Sequence, residues 1–586
     1  MVYRAMDASY LRNDFFVNAS DGFGPRYYYV HLLAALGSVF PLAPTFLVLE
    51  WLSLAGIALV TYLATRRLFD GSALAGMLAA TMALSLAGCR IGMNSSIANT
   101  LFIPTVLATP LSFLAVLAGL AGRPMVCGLL AGLASAIHPL LGAEAGGVAL
   151  AAAAGRILWR AFRSRGSSAG TWRALAGVLA GLSILAALSA ALWFRHWTNA
   201  QARIDTKTFI GLLAYYRAPH HYLASQFPVD DFVGLFAVLG ASALAFRLWK
   251  RDYPVGPSVL APALAIGVVL VLFLCGFVFT EVVPTRLGTI MQPFRLQLLV
   301  TWIGTMMMAA AIAASIETDG AGHCVWGWIA LAGSGLSEPL VQFFATLSEA
   351  LRRWLSNRLP QHAGWLFTGM AVLVAVCLLL GLGGNRDEAL AVACLVATSW
   401  WLLYGPKSML RPIVPVAATA GFVLLAGLGV PGASETPGTS AEKNPLARYR
   451  LRVGMEDSPT ADMPFAQAAA ELTDPNAVFV VPPDWGRFRL TARRALVVEQ
   501  KTLPFSDQAM LEWRKRIADC YGDVARMDEQ GKMQMKMNFF EIKDAQLSRL
   551  AKTYGATHAV LYLATPSAFP VLCRNQAFKM VVLTKP

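Results

Sequence analysis

Long apolar stretches alternate with short polar connections along the chain from residue 43 to residue 430. Eleven stretches are long enough to cross roughly 30 Å of hydrocarbon as helices, and a shorter one before His138-Pro139 predicts a twelfth, in a tight hairpin with the next. The predicted spans are 43–65, 72–88, 100–121, 124–138, 140–158, 174–194, 232–247, 258–279, 294–316, 363–383, 388–404 and 412–430. The apolar stretch 324–345 either crosses, re-enters or lies in the interface. The pattern therefore predicts an α-helical polytopic membrane protein with about 11–13 transmembrane helices.

Beyond residue 430 the apolar stretches end and charged residues become frequent. A linker rich in Pro, Gly, Ser and Thr, 431–460, precedes a segment, 461–586, in which helix and strand patterns alternate. Helices are predicted at Phe465–Leu472, Asp507–Tyr521 and Phe540–Tyr554, and strands at Ala477–Val481, Arg489–Val498, Ala559–Leu563 and Lys579–Leu583. This order of elements is typical of a soluble α/β domain. The loop Pro482–Gly486 follows a strand end, so it is either a binding loop or a rigid turn.

Composition narrows the class of protein. The chain is 56% apolar and 14% charged, against roughly 45–50% and about 25% in soluble domains, which excludes an ordinary soluble enzyme. The net charge is +14, but no run of five basic residues occurs, so no nucleic-acid partner is predicted. The eight cysteines form no C-x-x-C pair, and no pattern supports a cofactor or a divalent metal. Cys520 and Cys573 could form a disulfide if the C-terminal domain faces an oxidising compartment.

Basic residues predict which ends of the spans face the cytoplasm. They crowd three connections, which are predicted to be cytoplasmic: Arg66 to Arg67, Arg156 to Arg173, and Arg247 to Arg251. Alternation then places four longer segments outside: 1–42, 89–99, 195–231 and 280–293. If 324–345 does not cross, Arg352, Arg353 and Arg358 stay inside and the C-terminal domain emerges outside. The sequence thus predicts a multi-pass protein of the bacterial inner membrane with an extracytoplasmic domain.

The first 42 residues are predicted to form an extracytoplasmic loop and an amphipathic segment. Met1–Arg26 contains no apolar segment, yet the span 43–65 has to enter from outside for Arg66 and Arg67 to be cytoplasmic. We therefore expect a transmembrane helix to precede Met1 in the complete protein.

Ionisable residues gather near the predicted outer face of the body. They include Asp7, Asp14, Arg26, Arg90, His138, Arg217, His220, His221, Glu281, Arg286 and Arg295. Such groups cost a few kcal/mol each close to hydrocarbon, so together they predict a polar cavity open to the outside. Glu144 follows His138 by two turns, and this pair is either a buried hydrogen-bonded pair or part of the chemistry.

Two acidic residues and one basic cluster are candidates for the chemistry. Asp14 and Asp7 are candidates for an acidic base, although an aspartate after Asn is equally typical of a helix cap. The cluster contains Arg217, which can fork onto phosphate oxygens, and His220 and His221, which titrate near neutrality. Its tyrosines also fit an aromatic belt at the membrane interface.

Four more residues complete the predicted set for binding a lipid phosphate. Arg286 lies in the outer segment 280–293 and Arg295 at the outer start of a span, where they either bind phosphate or snorkel to head groups. Arg90 and His138 lie at the same face. Adjacent histidines without a third ligand are a poor metal site. No Gly-rich phosphate loop and no hydrolase motif is present in the sequence, which excludes soluble nucleotide chemistry and leaves a hydrolase without a nucleophile.

The acidic first outer loop, the Tyr-rich segment Arg26–Phe40, about a dozen spans and an outward α/β domain together resemble the GT-C superfamily of integral-membrane glycosyltransferases. In that superfamily a polyprenyl-phosphate-linked sugar is presented at the outer face, and an aspartate of the first outer loop acts as base or positions the acceptor. The resemblance therefore implies this role for Asp14 or Asp7. It also implies transfer of a sugar from the carrier to an extracytoplasmic acceptor, with Arg217, Arg286 or Arg295 on the phosphate.

Four short stretches also resemble an uncharacterised bacterial multi-pass membrane-protein family, so this resemblance implies no activity. The stretches are Ala136–Pro139, Arg217–Tyr222, Pro293–Arg295 and Ala477–Pro483. Two alternatives to a transferase stay open. One is a transporter or flippase of a lipid-linked or anionic solute, which would use the same basic cavity. The other is a scaffold of a cell-envelope assembly complex, whose α/β domain binds a partner. In each case membrane lipids surround the protein.

Overall fold

The computed structural model describes residues 1–358 and 463–583, with gaps at 70–71, 85–90, 94–96, 98–101, 165–168, 199–203, 253–259, 320–323, 325, 328–329, 332–338, 484, 523–524, 528–532 and 536–538. Most described residues are helical. The helices are α1 Val2–Met6, α2 Phe15–Ser20, α3 Tyr27–Gly37, α4 Leu42–Leu68, α5 Ala73–Leu84, α6 Pro104–Leu120, α7 Pro124–Ile137, α8 Pro139–Arg163, α9 Ala169–Thr198, α10 Thr206–Ile210, α11 Pro219–Tyr222, α12 Val229–Asp252, α13 Leu260–Phe277, α14 Arg286–Met291, α15 Gln297–Asp319, α16 Pro339–Arg358, α17 Met463–Leu472, α18 Phe488–Ala492, α19 Asp507–Tyr521 and α20 Asp544–Tyr554. Short 3₁₀ or π-helical turns occupy Ile91–Met93, Gly211–Arg217, Ala224–Gln226, Val278–Val282, Pro293–Leu296 and Phe539–Glu541.

The apolar pattern predicts the helices of the body correctly. Within the described residues, nine predicted spans each fall on one helix: α4 to α9, α12, α13 and α15. Six stretches there are long and apolar enough to cross a membrane: α4, α8, α9, α12, α13 and the run from α14 into α15. Helices α5 to α7 are apolar but shorter. The predicted spans 363–383, 388–404 and 412–430 and the linker lie outside the described residues.

The helical hairpin predicted before His138-Pro139 is present. His138 ends α7 and also caps α8, because its Nδ1 accepts a hydrogen bond from the backbone N–H of Leu141 at 3.1 Å. Proline at the first position of α8 suits a helix start, where its missing N–H would have no partner within the helix. The pair His138-Pro139 therefore forms the turn between α7 and α8, and the His138 side chain caps the second helix.

Close contact between α7 and α9 depends on glycine. A Cβ added at Gly128 would lie 2.1 Å from the carbonyl oxygen of Gly181, and one added at Gly181 would lie 2.3 Å from that of Pro124. These neighbours are backbone atoms, which cannot move aside as a side chain can. The small residues of α7 near Gly128 thus allow the two helix backbones to approach closely.

Replacing Gly128 by alanine is expected to lower the free energy of unfolding by about 1–3 kcal/mol, because α7 and α9 would have to move apart. Gly147→Ala is the matched control, since a Cβ at Gly147 would meet no atom within 4 Å. It should be neutral or stabilising, because alanine favours a helix by about 1 kcal/mol over glycine. Thermal unfolding of both variants in detergent measures the difference. Equal transition temperatures would contradict the backbone contact.

Polar segments meet at one end of the helical body. Residues 1–41 precede α4, 204–228 precede α12 and 278–296 precede α15. The intervening helices alternate in direction, so all three segments lie at the same end, where α11 contacts the turns Ile91–Met93 and Pro293–Leu296. We call it the docked end, because the C-terminal segment packs on it.

The described part of 324–345 lies against the body. Cys324 Sγ is 3.8 Å from the carbonyl oxygen of Ile312, which belongs to α15. Phe343, near the start of α16, lies against α12 at Gly240. Further along α16, Arg353 donates to Ser315 Oγ at 2.9 Å, so α16 leads back to the end of the body where α15 finishes. Whether 324–345 crosses, re-enters or lies in the interface stays a prediction.

The described part of the C-terminal segment contains a mixed sheet. Its strands are β1 Val478–Val480, β2 Ala495–Leu496, β5 His558–Tyr562, β6 Val571–Arg574 and β7 Phe578–Val582, and a separate hairpin pairs β3 Ala525–Met527 with β4 Met533–Met535. The sheet order is β2-β1-β5-β7-β6, in which β2, β1 and β5 are parallel and β7 and β6 pair antiparallel. Helices α19 and α20 cover one face, and α17 and α18 cover the other.

One prediction for this domain is wrong, and one possibility that the sequence left open is not realised. The stretch Arg489–Val498 is a strand only over the two residues of β2. Its first residues, up to Ala492, belong to helix α18, because Phe488 and Ala492 lie one turn apart and pack into the same core. Cys520 and Cys573 are both free. They belong to the cores on opposite faces of the sheet, so the sheet separates them and no disulfide forms.

Candidate functional site

Five basic side chains from four separate elements approach one another at the docked end. Arg26 precedes α3, His138 joins α7 to α8, His220 and His221 lie on α11, and Arg295 lies on the turn before α15. The charge of Arg295 acts on each of the other four, so Arg295 lies near all of them. We call this set the basic recess.

The basic recess is open to water although protein surrounds it. Arg26 is exposed, and His138 and His221 are half-buried. Enough protein nevertheless lies around the Arg26 guanidinium to remove part of its hydration, which lowers its pKa below the ordinary value. Burial, and then the charges of Arg295 and Arg26, lower the pKa of His138 to about 4. Burial and then Arg295 lower the pKa of His221 to about 4 as well. Both imidazoles are therefore neutral at pH 7.

Hydrogen bonds determine which nitrogen of each neutral imidazole carries the proton. His138 Nδ1 accepts from the Leu141 N–H, so its proton is on Nε2. His221 Nδ1 lies 2.9 Å from the carbonyl oxygen of Gly92. A carbonyl only accepts, so the proton of His221 is on Nδ1. The Nε2 atoms of the two histidines thus provide one donor and one acceptor.

One carboxylate lies beside these cations. Glu144 is 7% exposed and interacts electrostatically with Arg295. Glu144 Oε1, Arg295 Nε and Gln292 Oε1 have no hydrogen-bond partner among the described residues, while the Gln292 amide donates to the Tyr222 hydroxyl. Buried polar atoms are normally paired. Two guanidinium groups beside a single carboxylate leave the recess positively charged, which suits an anionic ligand.

A loop of the C-terminal domain reaches the mouth of the recess. Arg217 donates to the carbonyl oxygen of Lys501 at 2.6 Å, and the Arg26 guanidinium lies 5.8 Å from the centre of the Phe505 ring. Burial lowers the pKa of Arg217 below its ordinary value, and its buried Nε has no partner among the described residues. The loop therefore contacts two arginines at the docked end and lies over the entrance.

Asp14 anchors the C-terminal domain to the first segment. Its side chain is inaccessible to solvent, and one oxygen accepts from the Val17 N–H, which is a helix cap. The other oxygen accepts from Arg489 Nε at 2.8 Å and from the Leu496 N–H at 2.9 Å. Arg489 also donates to Glu499 at 2.6 Å. These contacts favour the capping alternative for Asp14 and leave its role as a base a prediction.

Of three other predicted site residues, two lie away from the recess and one lies outside the described residues. Asp7 is exposed and accepts hydrogen bonds from the hydroxyl and N–H of Ser9, which lower the pKa of its carboxyl. Arg286 pairs with Asp507 of the C-terminal domain, and its guanidinium stacks 4.1 Å from the centre of the Phe209 ring. Arg286 therefore acts at the domain interface in this structure. Arg90 lies outside the described residues.

Sequence reasoning missed the residues that connect the C-terminal domain to the helical body. Arg489 and Glu499 bracket a stretch with a strand pattern, and Asp507 reads as an ordinary first-turn helix residue. Arg26 was expected at the outer face without a specific role. One feature of the sequence could have indicated this interface: charged residues are frequent in the segments that the apolar pattern places at the outer end of the helical body.

A comparison with protein-family models finds a match in the first part of the C-terminal domain. Residues 461–520 are similar to a domain of unknown function, DUF6798. The matched residues include Arg489, Glu499 and Asp507, so the similarity covers the docking half of the C-terminal domain. No curated protein matches the chain. Within the described residues, no cluster of three His, Cys, Asp or Glu side chains could hold a metal ion.

Proposed function

We propose that the basic recess binds the phosphate of a polyprenyl-phosphate-linked sugar at the extracytoplasmic face of a bacterial inner membrane. We further propose that the protein transfers that sugar to an acceptor there. The observation that supports the binding step is the convergence of Arg26, Arg295, His138 and His221 in one water-accessible recess at the docked end. Helices long and apolar enough to cross a membrane surround it, so a lipid carrier could present its head group from the side.

The recess supplies the groups that such a ligand needs. Two guanidinium groups and the Nε2–H of His138 donate to phosphate oxygens, and charge-assisted bonds of this kind are the strong ones. The Nε2 lone pair of His221 accepts from a sugar hydroxyl. On transfer, the acceptor oxygen bonds to the sugar carbon, the bond from that carbon to the phosphate oxygen breaks, and the leaving phosphate keeps its charge beside Arg295.

The transfer also requires a proton acceptor for the attacking hydroxyl. Asp14 is the candidate from the resemblance, but both of its oxygens are occupied while the domain is docked. Glu144 Oε1 has no partner among the described residues and lies at the recess, so we assign the proton to Glu144 in the docked state. Asp14 takes this role only if the C-terminal domain lifts away.

Replacing Arg295 by glutamine tests the binding step. Detergent-purified protein is mixed with a panel of polyprenyl-phosphate sugars, and retention is read by native mass spectrometry. The wild type should retain one member selectively, and Arg295→Gln should weaken retention by about tenfold or more, as expected for a charge-assisted bond. Arg163→Gln is the matched control, because Arg163 lies at the other end, against Trp159. Equal retention by both variants would refute the recess as the binding site.

Turnover then separates the candidate functions. A transferase should release free polyprenyl phosphate, and Glu144→Gln should abolish release while binding persists. Movement of the intact carrier across a proteoliposome membrane, without release, would indicate a flippase. Failure of well-folded protein to retain any carrier would indicate the scaffold. Loss of release in Asp14→Asn but not in Glu144→Gln would return the base to Asp14.

A further inference from the structure

A second basic site lies at the end of the body opposite to the C-terminal domain. There the ends of α4, α6, α7, α8 and α9 surround a cavity of about 800 Å³. Four arginines line it: Arg67, Arg123, Arg156 and Arg160. We call it the arginine cavity. None of the described residues that line it is acidic, and none of its arginines belongs to the basic recess.

Arg156 forms the fixed wall of the arginine cavity. It is half-buried, and its Nη1 donates to the carbonyl oxygen of Leu120 at 2.7 Å, which caps the end of α6. Its Nε is buried without a partner among the described residues. The turn that follows α6 needs Gly122, whose φ is +83°. A Cβ there would lie 3.1 Å from Arg156 Nη2, so glycine also leaves room for the guanidinium.

The charges in the arginine cavity repel one another. Arg156 and Arg160 are four residues apart on α8, so they share one helical face, where like charges destabilise a helix. Arg67, Arg123 and Arg160 are exposed. Arginines at helix ends can snorkel separately towards head groups, but here four of them line one concave space. A bound anion would neutralise this repulsion.

The backbone adds donors to the same space. Helix α7 begins at Pro124, and the N–H groups of Met125 and Val126, in its first turn, have no partner within the helix. Both residues line the arginine cavity. The positive end of the α7 dipole therefore points towards the arginines. Backbone donors, a partly buried guanidinium and three exposed guanidiniums thus converge from separate elements.

We propose that the arginine cavity binds a phosphate or diphosphate group, at a site distinct from the basic recess. Its volume exceeds that of one phosphate and falls in the range of about 300–1,000 Å³ typical of ligand pockets. The open side faces the region where the helices end, which admits either the head group of an anionic lipid or a free phosphate compound. A guanidinium group can bind two phosphate oxygens at once, which favours an anionic phosphate group over an uncharged head group.

Glutamine substitutions test this proposal in the Arg295→Gln background, which weakens phosphate binding at the recess so that binding at the arginine cavity dominates the measurement. Delipidated protein is mixed with phosphatidylglycerol or phosphatidylcholine and read by native mass spectrometry, and separately titrated with inorganic pyrophosphate by calorimetry. Arg156→Gln, Arg123→Gln and Arg160→Gln should each weaken binding at least fivefold. Arg66→Gln and Arg163→Gln are the matched controls, since these neighbours do not line the cavity.

The two probes distinguish the source of the phosphate. Selective loss of phosphatidylglycerol identifies a lipid head group, and selective loss of pyrophosphate identifies a free phosphate compound. Arg156→Gln removes the cap on α6, so the exposed Arg123 and Arg160 provide variants that should leave thermal unfolding unchanged. If the variants at 123 and 160 bind both probes as the controls do, the arginines only snorkel and the proposal is wrong.

Discussion

Replacing Arg489 by methionine is expected to lower the free energy of unfolding by about 3–5 kcal/mol, as for other buried ion pairs that lose one partner. The substitution leaves the Asp14 carboxylate without its cation in a position that solvent does not reach. Glu499 loses the same partner. Burial alone lowers the pKa of Arg489, but Asp14 and Glu499 more than offset this and raise it.

The loss should appear first as release of the C-terminal domain from residues 1–20. Hydrogen exchange measures this directly, because the N–H groups of Val17 and Leu496 both donate to Asp14 and should lose protection together. Arg487→Met is the matched control, since Arg487 is exposed on the same turn. In a double variant, Asp14→Asn should recover part of the loss, because no unpaired charge is then buried. Unchanged protection in Arg489→Met would refute the anchoring role of Asp14.

Acidification from pH 7.5 to pH 5 is expected to destabilise the protein through His138 and His221. Their ordinary pKa is 6.5, and in the folded protein the pKa of each is about 4. Between these values the unfolded chain binds a proton that the folded protein does not, so stability falls as the pH falls. The contribution of the two neutral histidines to stability is fully present above pH 6.5. Each histidine should contribute about 2 kcal/mol to the loss at pH 5.

Two variants isolate this effect from the other groups that titrate in the same window. His221→Gln and His138→Asn, which keeps an acceptor for the Leu141 N–H, should each show a shallower decline of the unfolding temperature between pH 7.5 and pH 5. His31→Gln is the matched control, since His31 is exposed on α3. A decline that is equally steep in all three variants would mean that the recess histidines are not held neutral by their surroundings.

The helical body could be predicted closely because its signal is local. A run of apolar residues predicts a helix wherever it occurs, and α4 and α8 start within one residue of the predicted spans. The same applies to α19, whose bounds agree with the prediction, since its apolar residues recur at helical spacing. The edge strand β6 was missed because its residues are largely exposed, so no alternation of apolar and polar residues marks it.

The candidate residues of the site could be predicted from the sequence, but their arrangement could not. Local chemistry singled out His138, His221 and Arg295 as unusual so near to hydrocarbon, and they do meet. Which of the candidates meet was decided by packing, because Arg286 has the same residue type and nearly the same position as Arg295 but pairs with Asp507. That partner lies 221 residues away in sequence, and no local pattern reports it.

The sequence by itself determined that the chain has apolar helices joined by basic and polar connections and followed by an α/β segment. These features depend on the solubility and spacing of neighbouring residues. The tertiary structure decided what Asp14 does. Its partner Arg489 is 475 residues away, and Leu496 is 482 residues away. A carboxylate that looks like an exposed loop residue becomes a buried anchor because the fold of the whole chain removes it from water and supplies its donors.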